Sequence, residues 1–144
     1  MDKKYTCYCG FYCENCAVMV KVKPAAKTLY DEMKSAGFED VVSFIPDGDA
    51  FWRALRAMVE EGICISCRDG SGYPDCKIRN CAVEKGQDMC AFCAEYPCDR
   101  FEPFFAAVPA LKSDNELLRG EGWDAWAALQ DERMSEGFVY SDQA

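Results

Sequence analysis

The sequence predicts a mainly α-helical protein, or a small α+β variant of that class, in which helices pack around an irregular cysteine-rich module. Three observations carry the prediction. Apolar residues recur at helical spacing in two separate stretches, one around Trp52 and one around Phe104. Eleven of the 144 residues are cysteine and none is histidine. The length is on the scale of one domain, about 100 to 150 residues, so residues 1–144 read as a single unit with a modest core. Within it the cysteines occupy segments 7–16 and 64–98, separated by a helical insert at 24–62 and followed by an acidic helical tail at 99–144.

The helices are predicted as follows. Pro24 opens a helix over 25–36, because its fixed φ suits the first turn, and Gly37 ends it in a left-handed turn. After Pro46-Asp47-Gly48, Asp49 caps a second helix. Phe51, Trp52, Leu55, Met58 and Val59 form its apolar stripe and Gly62 is its stop, so the stripe is expected to pack against the cysteine module. Phe101, Phe104, Phe105 and Val108 repeat at i, i+3, i+4 and i+7, with Pro103 starting or bending that helix. Ser113 and Glu116 read as a capping box leading into Leu117 and Leu118. A last helix lies between Gly122 and Gly137, and Phe138-Val139-Tyr140 is expected as a short docking strand.

Ten of the cysteines are clustered: Cys9, Cys13 and Cys16; Cys64 and Cys67; Cys76 and Cys81; Cys90, Cys93 and Cys98. Two cysteines separated by two residues turn both sulfurs toward one ion while N–H groups of the same turn donate to the thiolates. Three CxxC pairs are present, Cys13 with Cys16, Cys64 with Cys67, and Cys90 with Cys93. Cys76 with Cys81 and Cys93 with Cys98 are looser CxxxxC pairs. These ten are the candidate metal ligands, for one or two zinc ions. One grouping takes Cys9, Cys13, Cys16, Cys64 and Cys67 for a first site and Cys76, Cys81, Cys90, Cys93 and Cys98 for a second. An interleaved alternative pairs Cys64 and Cys67 with Cys90 and Cys93 across 22 residues. Cys7 stands outside both patterns and reads as a small buried hydrophobe. Lys77, Arg79 and Lys85 are candidates to offset thiolate charge, and Pro97 to stiffen the approach to Cys98.

Charge and compartment narrow the function. The N-terminal lysines precede no apolar run of signal-peptide length, and no stretch approaches the roughly 18 apolar residues of a membrane span. A cytoplasmic location is therefore expected, where clustered thiols bind metal more often than they form disulfides. The net charge is −9, and most of the excess acid falls in 99–144. That balance lacks the basic surface needed to neutralise phosphates, which disfavours nucleic acid and leaves a protein partner.

The run Cys9-Gly10-Phe11-Tyr12-Cys13-Glu14-Asn15-Cys16 resembles the CGxxCxxC opening of domain-of-unknown-function family 3795, a cysteine-rich bacterial and archaeal family to which zinc binding is ascribed. Cys76 to Ala82, Glu84-Lys85-Gly86 and Cys90 to Cys98 are similar to it as well, and Gly122 and Trp126 resemble its tail. Relatives often carry CxGC where this chain has Cys64-Ile65-Ser66-Cys67, and the insert between Cys16 and Cys64 looks longer. The resemblance implies metal binding through cysteines and no established activity.

Other chemistries fit less well. Cys9, Cys13 and Cys16 match the CxxxCxxC of radical enzymes that use S-adenosylmethionine, but Asn15 replaces the usual aromatic and the chain is short of the roughly 200 residues of a barrel. An all-cysteine ligand set suits an iron–sulfur cluster as well as zinc, although the ferredoxin run is absent. Thiol–disulfide work by one CxxC wants a strand-helix-strand scaffold that the pattern lacks. Without histidine, hydrolytic zinc chemistry and CxxCH haem attachment are excluded. The expectation is thus a structural metal protein acting as an interaction or regulatory module rather than an enzyme, with a small iron–sulfur or thiol-redox protein as the alternative.

Overall fold

A computed structural model describes residues 2–64 and 66–143. Its six α-helices are α1 (Lys23–Ser35), α2 (Gly48–Glu60), α3 (Lys77–Glu84), α4 (Glu102–Ala107), α5 (Pro109–Glu121) and α6 (Trp123–Ser135). Among the described residues there is no strand, only an isolated antiparallel bridge between Thr6 and Tyr12, so the mainly α class holds. The chain divides into two compact units, 1–17 with 65–144, and 18–64.

The smaller unit is the insert. A π-turn at Val18–Val22 leads into α1, with Pro24 in its first turn, and Gly37 takes the left-handed φ of 71° at its end. Helix α2 starts two residues earlier than the Asp49 cap predicts. Asp47 occupies the cap position in a left-handed conformation, without a side-chain hydrogen bond. The buried stripe of α2 is Trp52 and Leu55 with Val59 partly covered, whereas Phe51 and Met58 are exposed. The expected packing of this stripe on the cysteine module is corrected accordingly. Trp52 stacks on Tyr30 of α1 with ring centroids 4.9 Å apart, and Ala26, Tyr30, Val42, Trp52 and Leu55 form the insert's own core. A 100°-per-residue helix carries Trp52, Leu55 and Val59 on one side and turns Phe51 to the edge of that stripe.

In the larger unit, α4 begins next to Pro103, which fixes its start rather than a bend. The capping box does not form. Helix α5 starts at Pro109, leaving Ser113 a full turn inside, where its Oγ donates to the Ala110 carbonyl at 3.0 Å. Helix α6 lies within its predicted bounds. Phe138-Val139-Tyr140 is not a strand: Val139 and Tyr140 are buried, and the chain closes in a 3-10 turn at Tyr140–Gln143. The core of this unit is Tyr12, Met89, Ala91, Leu118, Trp126 and Tyr140. A second apolar cluster, Ile78, Tyr96 and Phe101, has Cys9, Cys76, Cys90, Cys93 and Cys98 packed around it.

Candidate functional site

The first cysteine segment folds as a tight reversal. Cys7 donates its N–H to the Phe11 carbonyl at 2.8 Å and Gly10 donates to Cys7 at 3.0 Å, after which Cys13–Asn15 makes a 3-10 turn closed by the Cys16 N–H on Cys13. Gly10 sits at φ 95°, and a Cβ there would lie 2.2 Å from Asn115 Oδ1, whose amide nitrogen holds the Cys9 carbonyl at 2.9 Å. Gly10→Ala therefore meets both backbone strain and a buried clash. It is expected to destabilise by about 1–3 kcal/mol in urea unfolding, and an unchanged midpoint would contradict this packing.

This reversal brings the Cys7 and Cys13 sulfurs together. The two sulfurs are 3.6 Å apart, and Cys67 and Cys9 also act on the Cys7 thiol. The Tyr8 N–H donates to Cys67 and the Cys67 N–H donates to Cys13. The hydrogen bond from Cys7 is the largest influence lowering Cys67 to about 6, helped by the charges of Arg79 and Arg68, and it also lowers Cys13. Cys7 is pushed up, first by the Cys13 sulfur beside it, with burial adding to the rise. Arg68 is fixed beside them, its Nε donating to the Thr6 carbonyl at 2.7 Å and its guanidinium 4.8 Å from the Tyr8 ring centre. Ser66, just before Cys67, adopts φ 125°, a conformation that glycine takes most readily. The Arg68 and Asp69 N–H groups donate to its Oγ at 3.2 and 3.3 Å. The loop thus keeps a glycine-type path despite the serine.

The second set lines one pocket. Cys81 from α3 and Cys90, Cys93 and Cys98 from the following loop share it with Ile78, Tyr96 and Phe101. Cys90 is tied to the first segment by its N–H on the Tyr8 carbonyl at 2.8 Å, and Cys93 closes a 3-10 turn on Cys90 at 2.9 Å. Burial pushes the Cys90 thiol up to about 12, with the neighbouring Cys9, Cys81, Cys98 and Cys93 adding to the rise. Arg119 of α5 grips the turn, donating to the Ala91 and Cys93 carbonyls at 2.5 and 3.1 Å, and its guanidinium lies 5.4 Å from the Tyr96 ring centre. Arg100 hydrogen-bonds Cys98, and Lys85 pairs with Glu95 at the rim.

Cys76 packs against the same Ile78, Tyr96 and Phe101 cluster as the second set and also caps α3, its sulfur accepting the Arg79 N–H at 3.5 Å. Arg79 spends its guanidinium on the carbonyls of Ser71, Tyr73 and Pro74, so it shapes that loop as well as lowering Cys67. Lys77 is exposed. The Cys16 N–H closes the Cys13–Asn15 turn, and Cys64 belongs to the smaller unit. Among the described residues no three cysteine or acidic side chains form a group that holds a metal ion as they stand.

The first turn is held from behind by a buried polar network. Asn15, between Cys13 and Cys16, donates to Gln130 Oε1 at 2.9 Å; Gln130 donates to Asp114 Oδ2 at 3.1 Å, and Arg133 pairs with the same oxygen at 2.5 Å. The Tyr140 hydroxyl lies 3.0 Å from Asp114 and 3.1 Å from Gln130. Asn15, Asp114 and Gln130 are fully buried.

The model of the family described as "protein of unknown function (DUF3795)" matches residues 5–103. The chain belongs to this family. All eleven cysteines lie inside the match, whereas Asp114, Arg119, Gln130 and Tyr140, which support the cysteine turns, lie beyond it. The Gly122 and Trp126 likeness to the DUF3795 tail is likewise beyond the matched span. The chain matches no curated protein and no solved structure.

Proposed function

We propose that this DUF3795 member binds metal through its clustered cysteines, as a structural zinc protein serving as an interaction or regulatory module. The observation that supports it is the pocket shared by Cys81, Cys90, Cys93 and Cys98. Four thiols on one pocket provide the complete all-sulfur donor set that closed structural zinc sites use. A metal held there would add to the ties between α3 and the 90–98 loop, which short turns, the Cys90–Tyr8 hydrogen bond and the Arg119 contacts also define. The protein's own groups supply the surroundings: Arg100 toward Cys98, Lys85 at the rim, and an apolar floor of Ile78, Tyr96 and Phe101 that limits water. With no histidine and four thiol donors, the set lacks the open position and mixed ligands of a hydrolytic centre.

The partner we assign is a protein, and the compartment a reducing one. A chain of net charge −9 repels phosphate backbones, and the metal reading needs thiols that stay reduced.

The test is metal analysis of anaerobically purified protein. A colourless sample with one or two zinc equivalents, reduced by one in Cys90→Ser, is the expected result. A brown sample holding iron and acid-labile sulfide would replace zinc with an iron–sulfur cluster, since all-thiol ligands suit both. Absence of any bound metal would end the reading.

A further inference from the structure

We propose that Cys7 and Cys13 form a reversible thiol–disulfide pair, a modification site that takes a low-molecular-weight disulfide of the glutathione type as its co-reactant. The pair goes beyond the metal reading, which rests on the pocket of Cys81, Cys90, Cys93 and Cys98. It joins a cysteine of a CxxC motif to one that belongs to no such motif.

The contact between the two sulfurs carries the proposal. They stand 3.6 Å apart. A disulfide bond is about 2.05 Å long, so closing the pair moves each sulfur by roughly 0.8 Å, the scale of a small side-chain rotation. The chain on either side is already fixed. Thr6 and Tyr12, the residues just before the two cysteines, face each other in an antiparallel bridge, and the Cys7 N–H donates to the Phe11 carbonyl at 2.8 Å. Arg68 Nε holds the Thr6 carbonyl at 2.7 Å, and Asn15, two residues past Cys13, is anchored on Gln130 at 2.9 Å. Both cysteines are half-buried rather than sealed in the core, so a small co-reactant has access.

The chemistry balances as two exchanges. One of the two sulfurs, as thiolate, attacks the external disulfide; that S–S bond breaks, a mixed disulfide forms, and the small thiolate that leaves takes up the proton the protein thiol gave up. The second protein sulfur then loses its proton and attacks the first, forming the Cys7–Cys13 bond and expelling the second small thiolate, which takes that proton. Two protein thiols are oxidised and one external disulfide is reduced to two thiols. The second attack joins groups already in contact, which favours the internal bond over a lasting mixed disulfide. Once closed, the bond ties Cys7 to the first residue of the Cys13–Asn15 turn, so oxidation stiffens the Gly10 reversal and reduction releases it.

The experiment equilibrates anaerobically purified protein with glutathione buffers from fully reduced to fully oxidised and traps free thiols with iodoacetamide. Chymotrypsin, cutting at Tyr8 and Tyr12, then separates Cys7, Cys9 and Cys13 for mapping of the linked peptides. A Cys7–Cys13 linkage in most of the oxidised parent, kept in Cys16→Ser and returned to two alkylated thiols by dithiothreitol, is the expected result. Cys7→Ser is expected to leave Cys13 as a mixed disulfide with glutathione; if that variant does not fold, the parent and Cys16→Ser still decide. A Cys13–Cys16 or Cys9–Cys13 linkage would overturn the pairing, as would a mixed disulfide that persists in the parent. Full alkylation of Cys7 and Cys13 after oxidised glutathione would overturn the proposal outright.

Discussion

Asp114→Ala is expected to lower stability by about 3–5 kcal/mol, the usual cost of removing one partner from a buried ion pair. Asp114 is fully buried, and a single oxygen, Oδ2, meets Arg133, Gln130 and the Tyr140 hydroxyl. Its loss strands a guanidinium whose side chain is only 13% exposed and leaves Gln130 Nε2 without its acceptor. The effect should reach the cysteines, because Gln130 is also what holds Asn15 between Cys13 and Cys16. Urea unfolding measures the first part, and zinc affinity of the same variant measures the second. A loss below about 1 kcal/mol, within the range of exposed ion pairs, would show that the network is not closed as described.

That network marks what could and could not be read from the sequence. Helices α1, α2, α4 and α6 follow from strong local signals: proline in a first turn, glycine after a last one, and apolar residues at helical spacing. The start of α5 was obscured because Ser113 and Glu116 imitate a cap, whereas Pro109 and the buried Leu111 decide where the helix begins. Helix α3 is hidden under its own cysteines. Cys76 and Cys81 attract a ligand reading, and eight residues with two charged side chains at the start give little periodicity. Cys81, Cys90, Cys93 and Cys98 line one pocket, and Cys76 caps α3 beside it. Cys7 was set aside because it belongs to no CxxC. The available signal was its CxC spacing with Cys9, yet only the Gly10 reversal turns it toward Cys13. Asp114, Arg119 and Asn115 act across 16 to 106 residues of sequence, as polar positions on helices that otherwise read as a solvated acidic tail.

Removing metal is expected to unfold the larger unit while sparing the helices of the insert. Structural zinc binding is worth roughly 10–16 kcal/mol in small thiol sites at neutral pH, comparable with the 5–15 kcal/mol by which whole domains are stable. The two units should respond differently because α1 and α2 contain no cysteine and share a core of Tyr30, Trp52 and Leu55. Trp123 and Trp126 lie in the larger unit, with Trp126 fully buried against Tyr12. In Trp52→Phe protein the remaining fluorescence reports that unit alone. A strong chelator should shift its emission to that of solvated tryptophan, and far-UV circular dichroism should keep a helical remainder from α1 and α2. Restoring zinc under reducing conditions should return the buried emission, because the thiols must be unprotonated and unoxidised to bind again. If chelated protein keeps its tryptophan emission and melts at the same temperature, the clustered cysteines are ordinary half-buried side chains, and the fold stands on the Asp114 network and the apolar core alone.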